Sequence, residues 1–315
     1  MGKTIVIILG AARSGSTLLA KAIGGHSKCF ALGEINRFND EIISKETHCG
    51  CGNKLIECDF WNDIIANINS DKNEDIRKSS QIFNVGIFKQ ITKKNRFHFL
   101  IPTILFKKKY KFGIVDKEIN NTYGIYNKVF LKTNTDVLID STKGLFRALI
   151  LASRKTPGYS FKFIQITRDG RGVLNSGLKD SYSIMHKNGI KREYKGEHTR
   201  KPNVIINQWL YVNLRNYLIL KLFRKSNTYF LRYEDFTSNP SKYLREIYEL
   251  VGLDFEEKAL FLDENENHIL GGNASRINAR RIKKQDEAWR KNLDKSLLKV
   301  FSKKAGWFNK FLGYN

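Results

Sequence analysis

The stretch Thr4–Leu19, TIVIILGAARSGSTLL, constrains the chain more than any other. Ile5–Leu9 is an unbroken aliphatic run, the pattern of a strand buried on both faces. Gly10 ends it, and helix formers take over from Ser16. Strand, glycine-bounded turn and helix, in that order, aim backbone N–H groups and the positive end of a helix at one point. Such a point binds an anion. An ordinary strand-to-helix turn is the other reading of the same residues.

Gly10 and Gly15 have the spacing of the triphosphate loop G-x-x-x-x-G-K-[ST], and Thr17 fits its end. Ser16 stands where that loop carries its lysine, which spans the β- and γ-phosphates beside Mg²⁺. A loop without it suits a nucleotide with a less highly charged terminal group. The positive charge lies earlier, at Arg13.

With 315 residues the chain can bury a large core, and it reads as one α/β domain, 1–315. The net charge of +24 admits anionic substrates, nucleic acid or an anionic membrane surface. The lysines are spread along the whole chain, however, and no motif clusters basic with aromatic residues as nucleic-acid binding requires. No specific nucleic-acid partner is expected. No signal peptide is read before the first strand. Phe97–Phe106, the longest apolar run, is too short to span a bilayer. Val6 occupies the position where a myristoylation site has Ser or Thr. The expectation is a cytoplasmic protein without a transmembrane segment. Nothing in the sequence sets an oligomeric state.

Three of the four cysteines, Cys49, Cys51 and Cys58, fall close together; Cys29 lies apart. The cluster admits zinc with His48, a disulfide, or a compact glycine-rich loop with free thiols. Cys-x-Cys is tighter than the usual zinc spacing, and no catalytic role follows for these residues.

Further strand–loop–helix units repeat along the chain. Cys29–Leu32 reads as a short strand ending at Gly33 and Glu34. Val137–Asp140 is a strand that enters a polar turn with Lys143, followed by helical periodicity over Leu145–Ser153. Phe161–Thr167 is another buried strand, leading through Arg168 into a helix that carries Ser176. Val204–Leu222 is a long helix, Thr228–Leu231 a strand, and Ser241–Val251 a helix stopped by Gly252. Lys187–Lys201 reads as a polar loop. Residues 39–127 read as a helical and loop insertion at the sheet edge, covering the acceptor site, and 256–315 as a cofactor loop and tail. Parallel strands with right-handed crossovers follow: a P-loop-type three-layer sandwich, its central parallel sheet flanked by helices. One sheet edge then gathers Arg13, Ser14, Gly15, Ser16, Thr17, Glu34, Lys143 and Arg168. Such an edge binds a nucleotide with more than one anionic group, while the carboxylate can deprotonate an acceptor hydroxyl.

Gly10-Ala-Ala-Arg-Ser-Gly-Ser-Thr-Leu-Leu19 resembles the 5′-phosphosulfate loop of sulfotransferases that use 3′-phosphoadenosine 5′-phosphosulfate (PAPS). Ile164-Gln-Ile-Thr-Arg-Asp-Gly-Arg-Gly-Val-Leu-Asn-Ser176 resembles their 3′-phosphate motif. Tyr233-Glu-Asp-Phe, Asn239-Pro240 and the closing Gly313-Tyr314 fit the same pattern. The likeness is greatest to the protein-tyrosine and carbohydrate branches and their bacterial relatives.

This resemblance implies PAPS as co-substrate, no required metal, and in-line transfer to an acceptor hydroxyl. It also implies roles. Glu34 is the base, Lys143 contacts the transferring group, and Arg13 adds positive charge. Arg168 and Ser176 take the 3′-phosphate, although Ser176 lies about 12 Å further along the helix axis, so the arginine must fold back along it. Tyr233 bounds the nucleotide pocket, and Ser275 and Arg276 match a C-terminal cofactor loop. The small-molecule branch uses a histidine base, for which His98 is the candidate. A saccharide or glycolipid, anionic ones included, is the expected acceptor; a tyrosine peptide or small molecule is the alternative, with a P-loop nucleotide kinase behind both.

Overall fold

Ile5, Ile7 and Leu9 face one hydrophobic cluster while Val6 and Ile8, the alternate residues of the same strand, face another. All five are essentially inaccessible to solvent, so this strand is the centre of a sheet covered on both sides. The computed structural model describes residues 2–44, 46–78, 113–154, 158–179, 181–185, 191–195, 201–222, 225–262, 267–284 and 287–315.

In chain order the elements are β1 (Lys3–Leu9), α1 (Ser16–Ile23), β2 (Cys29–Gly33), α2 (Phe38–Ile43), α3 (Asp59–Lys72), α4 (Gly113–Thr133), β3 (Val137–Asp140), α5 (Leu145–Ser153) and β4 (Tyr159–Thr167). There follow α6 (Gly170–Gly177), β5 (Ser181–Met185), β6 (Lys191–Lys195), α7 (Pro202–Leu220), β7 (Thr228–Arg232), α8 (Tyr233–Ser238) and α9 (Pro240–Val251). The C-terminal part holds α10 (Ser275–Asn278), α11 (Trp289–Asn292) and α12 (Lys295–Phe311).

The main sheet has the order β2-β3-β1-β4-β7, with every pairing parallel. From β1 the chain runs to β2 at one edge, and from β4 to β7 at the other. Connections that diverge this way open a crevice at the carboxyl ends of β1 and β4. On one face α3, α4 and α5 contribute Trp61, Ile65, Tyr126, Val129 and Leu149 to the core. On the other, Leu19 and Ile23 of α1 meet Leu244, Ile247 and Tyr248 of α9. Each fully buried large apolar side chain contributes about 1.5–3 kcal/mol. A third cluster joins α6, α7, α11 and α12 through Leu174, Trp209, Trp289, Phe301 and Phe308. The expected three-layer sandwich with a parallel sheet is the observed fold.

Two elements differ from the sequence reading. The loop expected at Lys187–Lys201 contains β6, paired antiparallel with β5. A two-stranded ribbon is held by its backbone ladder and needs no apolar alternation to announce it. The tail folds into α12, whose buried Phe301, Ala305 and Phe308 sit among many lysines; Asp294 caps it by accepting from Leu297 N at 2.8 Å. Phe97–Phe106, including His98, lies outside the described residues. Among those described, no helix is long and apolar enough to cross a membrane.

Candidate active site

The loop after β1 is shaped by close approach. A Cβ on Gly10 would lie 2.5 Å from the carbonyl oxygen of Ile166 in β4, and one on Gly15 would overlap the Tyr233 ring. Gly15 has φ +88°, and Arg13 takes the left-handed region at φ +66°, uncommon for a side-chain-bearing residue. No side chain caps α1, so its first N–H groups are left to face the crevice. Ser14 Oγ is buried with no hydrogen-bond partner among the described residues, as is Nε of Arg168. Orphaned donors at a bare helix N-terminus fit an anionic group.

Glu34 begins the turn after β2. A segment from the C-terminal part of the chain fixes it there, through Glu34 N to Leu270 O at 2.7 Å and Leu270 N to Leu32 O at 2.9 Å. Gly33, at φ +88°, leaves room for that segment; a Cβ would overlap the Leu270 carbonyl. Lys143, after β3, reaches across to Glu34 with Nζ 2.5 Å from Oε1. Both side chains are mostly enclosed, with 15% of Glu34 and 21% of Lys143 exposed. Lys143 also has positive φ, +65°. Beneath it Asp140 is fully buried and accepts from Tyr126 Oη at 2.6 Å, Arg147 Nη1 at 3.0 Å and Thr142 N at 2.9 Å. Burial and the Asp140 charge push the Tyr126 hydroxyl well above the usual phenol range.

Arg168, after β4, donates to Arg13 O at 3.2 Å and lies over the Tyr233 ring, 4.9 Å from its centroid. Trp209 Nε1 holds the Arg168 carbonyl at 3.0 Å. Glu234 accepts from Asp169 N at 3.0 Å; burial raises its carboxyl above the usual range, against the pull of that N–H. Tyr314 closes this side, its hydroxyl 3.1 Å from Thr167 Oγ1 and its ring under the Arg232 guanidinium.

Arg13, Gly15, Ser16, Thr17, Glu34, Lys143, Ser275 and Arg276 line one cleft of about 690 Å³. Ser14 is buried within the loop that forms its floor. Arg168 and Tyr233 are not among the lining residues but adjoin the cleft through Arg13 and Gly15. Ser176 is half-buried on α6 and is not brought to the cleft; Val173 and Gly177 of the same helix are. Arg276 ties two walls together, donating to Gly272 O at 2.8 Å and His48 O at 3.1 Å. Asn273 N donates to Thr17 Oγ1 at 3.2 Å.

The sequence reading missed Arg37, Glu41, Lys179 and Arg215, which also line the cleft. The histidine beside the cysteine cluster is His268, not the His48 considered for it among the zinc, disulfide and free-thiol readings. Cys49, Cys51 and Cys58 gather around His268, whereas His48 is engaged in a β-bridge with Lys54. No disulfide joins the cysteines. His268 lies 210 residues beyond Cys58, so only the fold could reveal it.

Comparison with known proteins bears on this geometry. Residues 6–257 match a family described as the sulfotransferase family. No curated protein matches the chain. Among solved structures, the sulfotransferase domain from the curacin biosynthetic pathway is similar at 17% identity and TM-score 0.51, covering 99% of this chain and 98% of that one. The sulfotransferase domain of the Synechococcus PCC 7002 olefin synthase is similar at 17% identity and TM-score 0.48, over 100% and 96% of the two chains. The likeness in fold joins a family match across most of the chain: it belongs to the sulfotransferase family.

Proposed function

We propose that the cleft moves a sulfuryl group from PAPS to a hydroxyl of a saccharide or glycolipid, with Glu34 as the base. The observation that carries this reading is the Glu34–Lys143 pair, 2.5 Å apart, at the carboxyl ends of β2 and β3 beside a bare helix N-terminus. A carboxylate and a cation held together there can serve the two ends of one transfer. The acceptor oxygen bonds to sulfur as the bond from sulfur to the 5′-phosphate oxygen breaks in line. The electron pair stays on that oxygen, leaving 3′-phosphoadenosine 5′-phosphate (PAP), and the acceptor proton goes to Glu34.

The amides of Ser14–Thr17 and the Arg13 side chain bind the 5′-phosphosulfate, and Lys143 exchanges its carboxylate partner for the transferring group. Charge developing in that transfer is met by fixed donors, worth on the order of 10²–10³ in rate for each. Arg168, stacked on Tyr233, takes the 3′-phosphate, since a guanidinium offers paired donors. Ser176 joins it only where that phosphate sits beyond the cleft lining, against α6. Ser275 and Arg276 close the nucleotide side.

The acceptor reading rests on the wall beyond Glu34, where Arg37, Glu41, Ser44, Glu46, Thr47 and His48 offer hydrogen bonds rather than an apolar slot. All but Arg37 belong to segment 39–127, whose described residues, 39–44, 46–78 and 113–127, we assign to the acceptor side of a single domain, 1–315; residues 79–112 of the segment lie outside the described residues. A cytoplasmic setting belongs to the same reading and is supported by cysteines free of disulfides.

Glu34→Gln tests the base. Turnover with radiolabelled PAPS and a saccharide panel is expected to fall at least 10²-fold, with PAP affinity by calorimetry within about threefold of wild type. Undiminished turnover in that variant would overturn the assignment.

A further inference from the structure

We propose that Cys49, Cys51, Cys58 and His268 bind one zinc ion, which clips the loop before α3 to the segment that positions Glu34. The four donor atoms all lie within 4.8 Å of one another. Cys58 Sγ is 3.6 Å from Cys49 Sγ and 3.9 Å from Cys51 Sγ. His268 Nδ1 is 3.3 Å from Cys58 Sγ and 3.7 Å from Cys49 Sγ. A tetrahedron with Zn–S of about 2.3 Å and Zn–N of about 2.0–2.1 Å has S···S edges of about 3.8 Å and S···N edges of about 3.6 Å. These four separations lie within about 0.3 Å of those edges. Three sulfurs and one imidazole nitrogen are also the donor set that selects zinc among the common ions.

The surroundings are built for a fixed site. Gly52, at φ +88°, turns the chain between Cys51 and Cys58. Gly50 leaves room for Asn267, and its N–H donates to Ile269 O at 3.0 Å. The His268 ring stacks on Phe60, 4.5 Å between centroids, and its carbonyl accepts from Trp61 Nε1 at 2.7 Å. Cys49 and Cys58 are buried. Four protein donors leave no open coordination position, so the ion holds structure and takes no part in sulfuryl transfer. Its reach extends to the cleft because Leu270, two residues after His268, holds Glu34, and Asn273 holds Thr17.

The test uses the full-length wild-type chain, purified without a metal-affinity tag from zinc-supplemented medium. Mass spectrometric metal analysis is expected to give about one zinc per chain, and cobalt exchanged into the protein should show the intense visible bands of a tetrahedral thiolate site. His268→Ala should lose at least tenfold in zinc affinity, His268→Cys should regain it, and His48→Ala should retain it. Wild-type protein holding under about a tenth of a zinc per chain, or a native disulfide within the cluster, would overturn the proposal. Neither result depends on turnover.

Discussion

Gly33→Ala isolates the contact that places the proposed base. Gly33 has φ +88°, and an added Cβ would overlap the Leu270 carbonyl oxygen and stand 2.7 Å from Leu270 N. Both obstacles are backbone, so the segment must withdraw rather than a side chain rotate. The left-handed conformation costs an alanine about 1–2 kcal/mol. Withdrawal also weakens the hydrogen bonds from Glu34 N to Leu270 O and from Leu270 N to Leu32 O, at about 1 kcal/mol each. The sum is about 3–4 kcal/mol, and for 315 residues that lowers Tm by about 5 °C. Glu34 moves with its own amide, and a displacement of about 1 Å at a reacting group costs on the order of 10² in rate. PAP affinity should fall less than turnover does, because the backbone of the anion loop belongs to a different strand, although Asn273 of the displaced segment contacts Thr17. Gly252→Ala supplies the control: φ is +76° at the end of α9, and an added Cβ there meets nothing within 4 Å. It should cost about 1–2 kcal/mol and leave turnover intact. Calorimetric melting and steady-state assays of the two variants decide the matter. Equal stability losses, or full kcat in Gly33→Ala, would refute the reasoning that the Leu270 segment sets Glu34.

Arg168→Ala is expected to weaken PAP binding by about 10²-fold while changing AMP affinity less than about threefold, as measured by calorimetry; equal losses for both would remove Arg168 from the 3′-phosphate. Glu256→Gln addresses acid stability. Burial raises the Glu256 carboxyl, but the Ser27 hydroxyl and amide outweigh it and bring it down to about 2. A depressed carboxyl stabilises the fold above its unfolded value of about 4.3, and that stability disappears as pH falls through about 2. Nearly a third of this side chain is exposed, so screening leaves about 1 kcal/mol or less. Urea unfolding at pH 5 and pH 3 should show a smaller acid loss in the variant; identical losses would assign the acid sensitivity elsewhere.

The strands were legible because burial on both faces leaves no alternative to a continuous apolar run. Val137–Asp140 and Leu145–Ser153 keep their expected bounds, since Gly144 and the polar turn interrupt the pattern on both sides. The cleft lining was legible where side chains stand at strand ends, as at Arg13, Glu34 and Lys143. What stayed hidden depends on distant partners. Asp140 and Arg147 look like unrelated charges until α4 brings Tyr126 and Glu118 onto them. His268 is an isolated histidine until the Leu270 segment lies beside β2. Ser176 was placed at a phosphate by motif spacing alone, and on α6 it lies off the cleft that Val173 and Gly177 line.

The two proposed cations share a conformation that their side chains disfavour. Arg13 and Lys143 have φ of +66° and +65°, about 1–2 kcal/mol above the usual regions. Neither could keep it in a free loop. Arg13 is held by Arg168 donating to its carbonyl. Lys143 sits between Thr142, tied to Asp140, and Gly144, whose carbonyl accepts from Ala148 as α5 begins. A buried ion pair such as Asp140–Arg147 contributes little to net stability, because desolvation offsets its attraction. Its value here lies in geometry. The Asp140 carboxylate fixes the turn that aims Lys143 at Glu34, while the sheet core supplies the stability that this strained turn consumes. Strain that persists at two strand ends, each leading into the same cleft, is the pattern of a preorganised site rather than of two accidental turns.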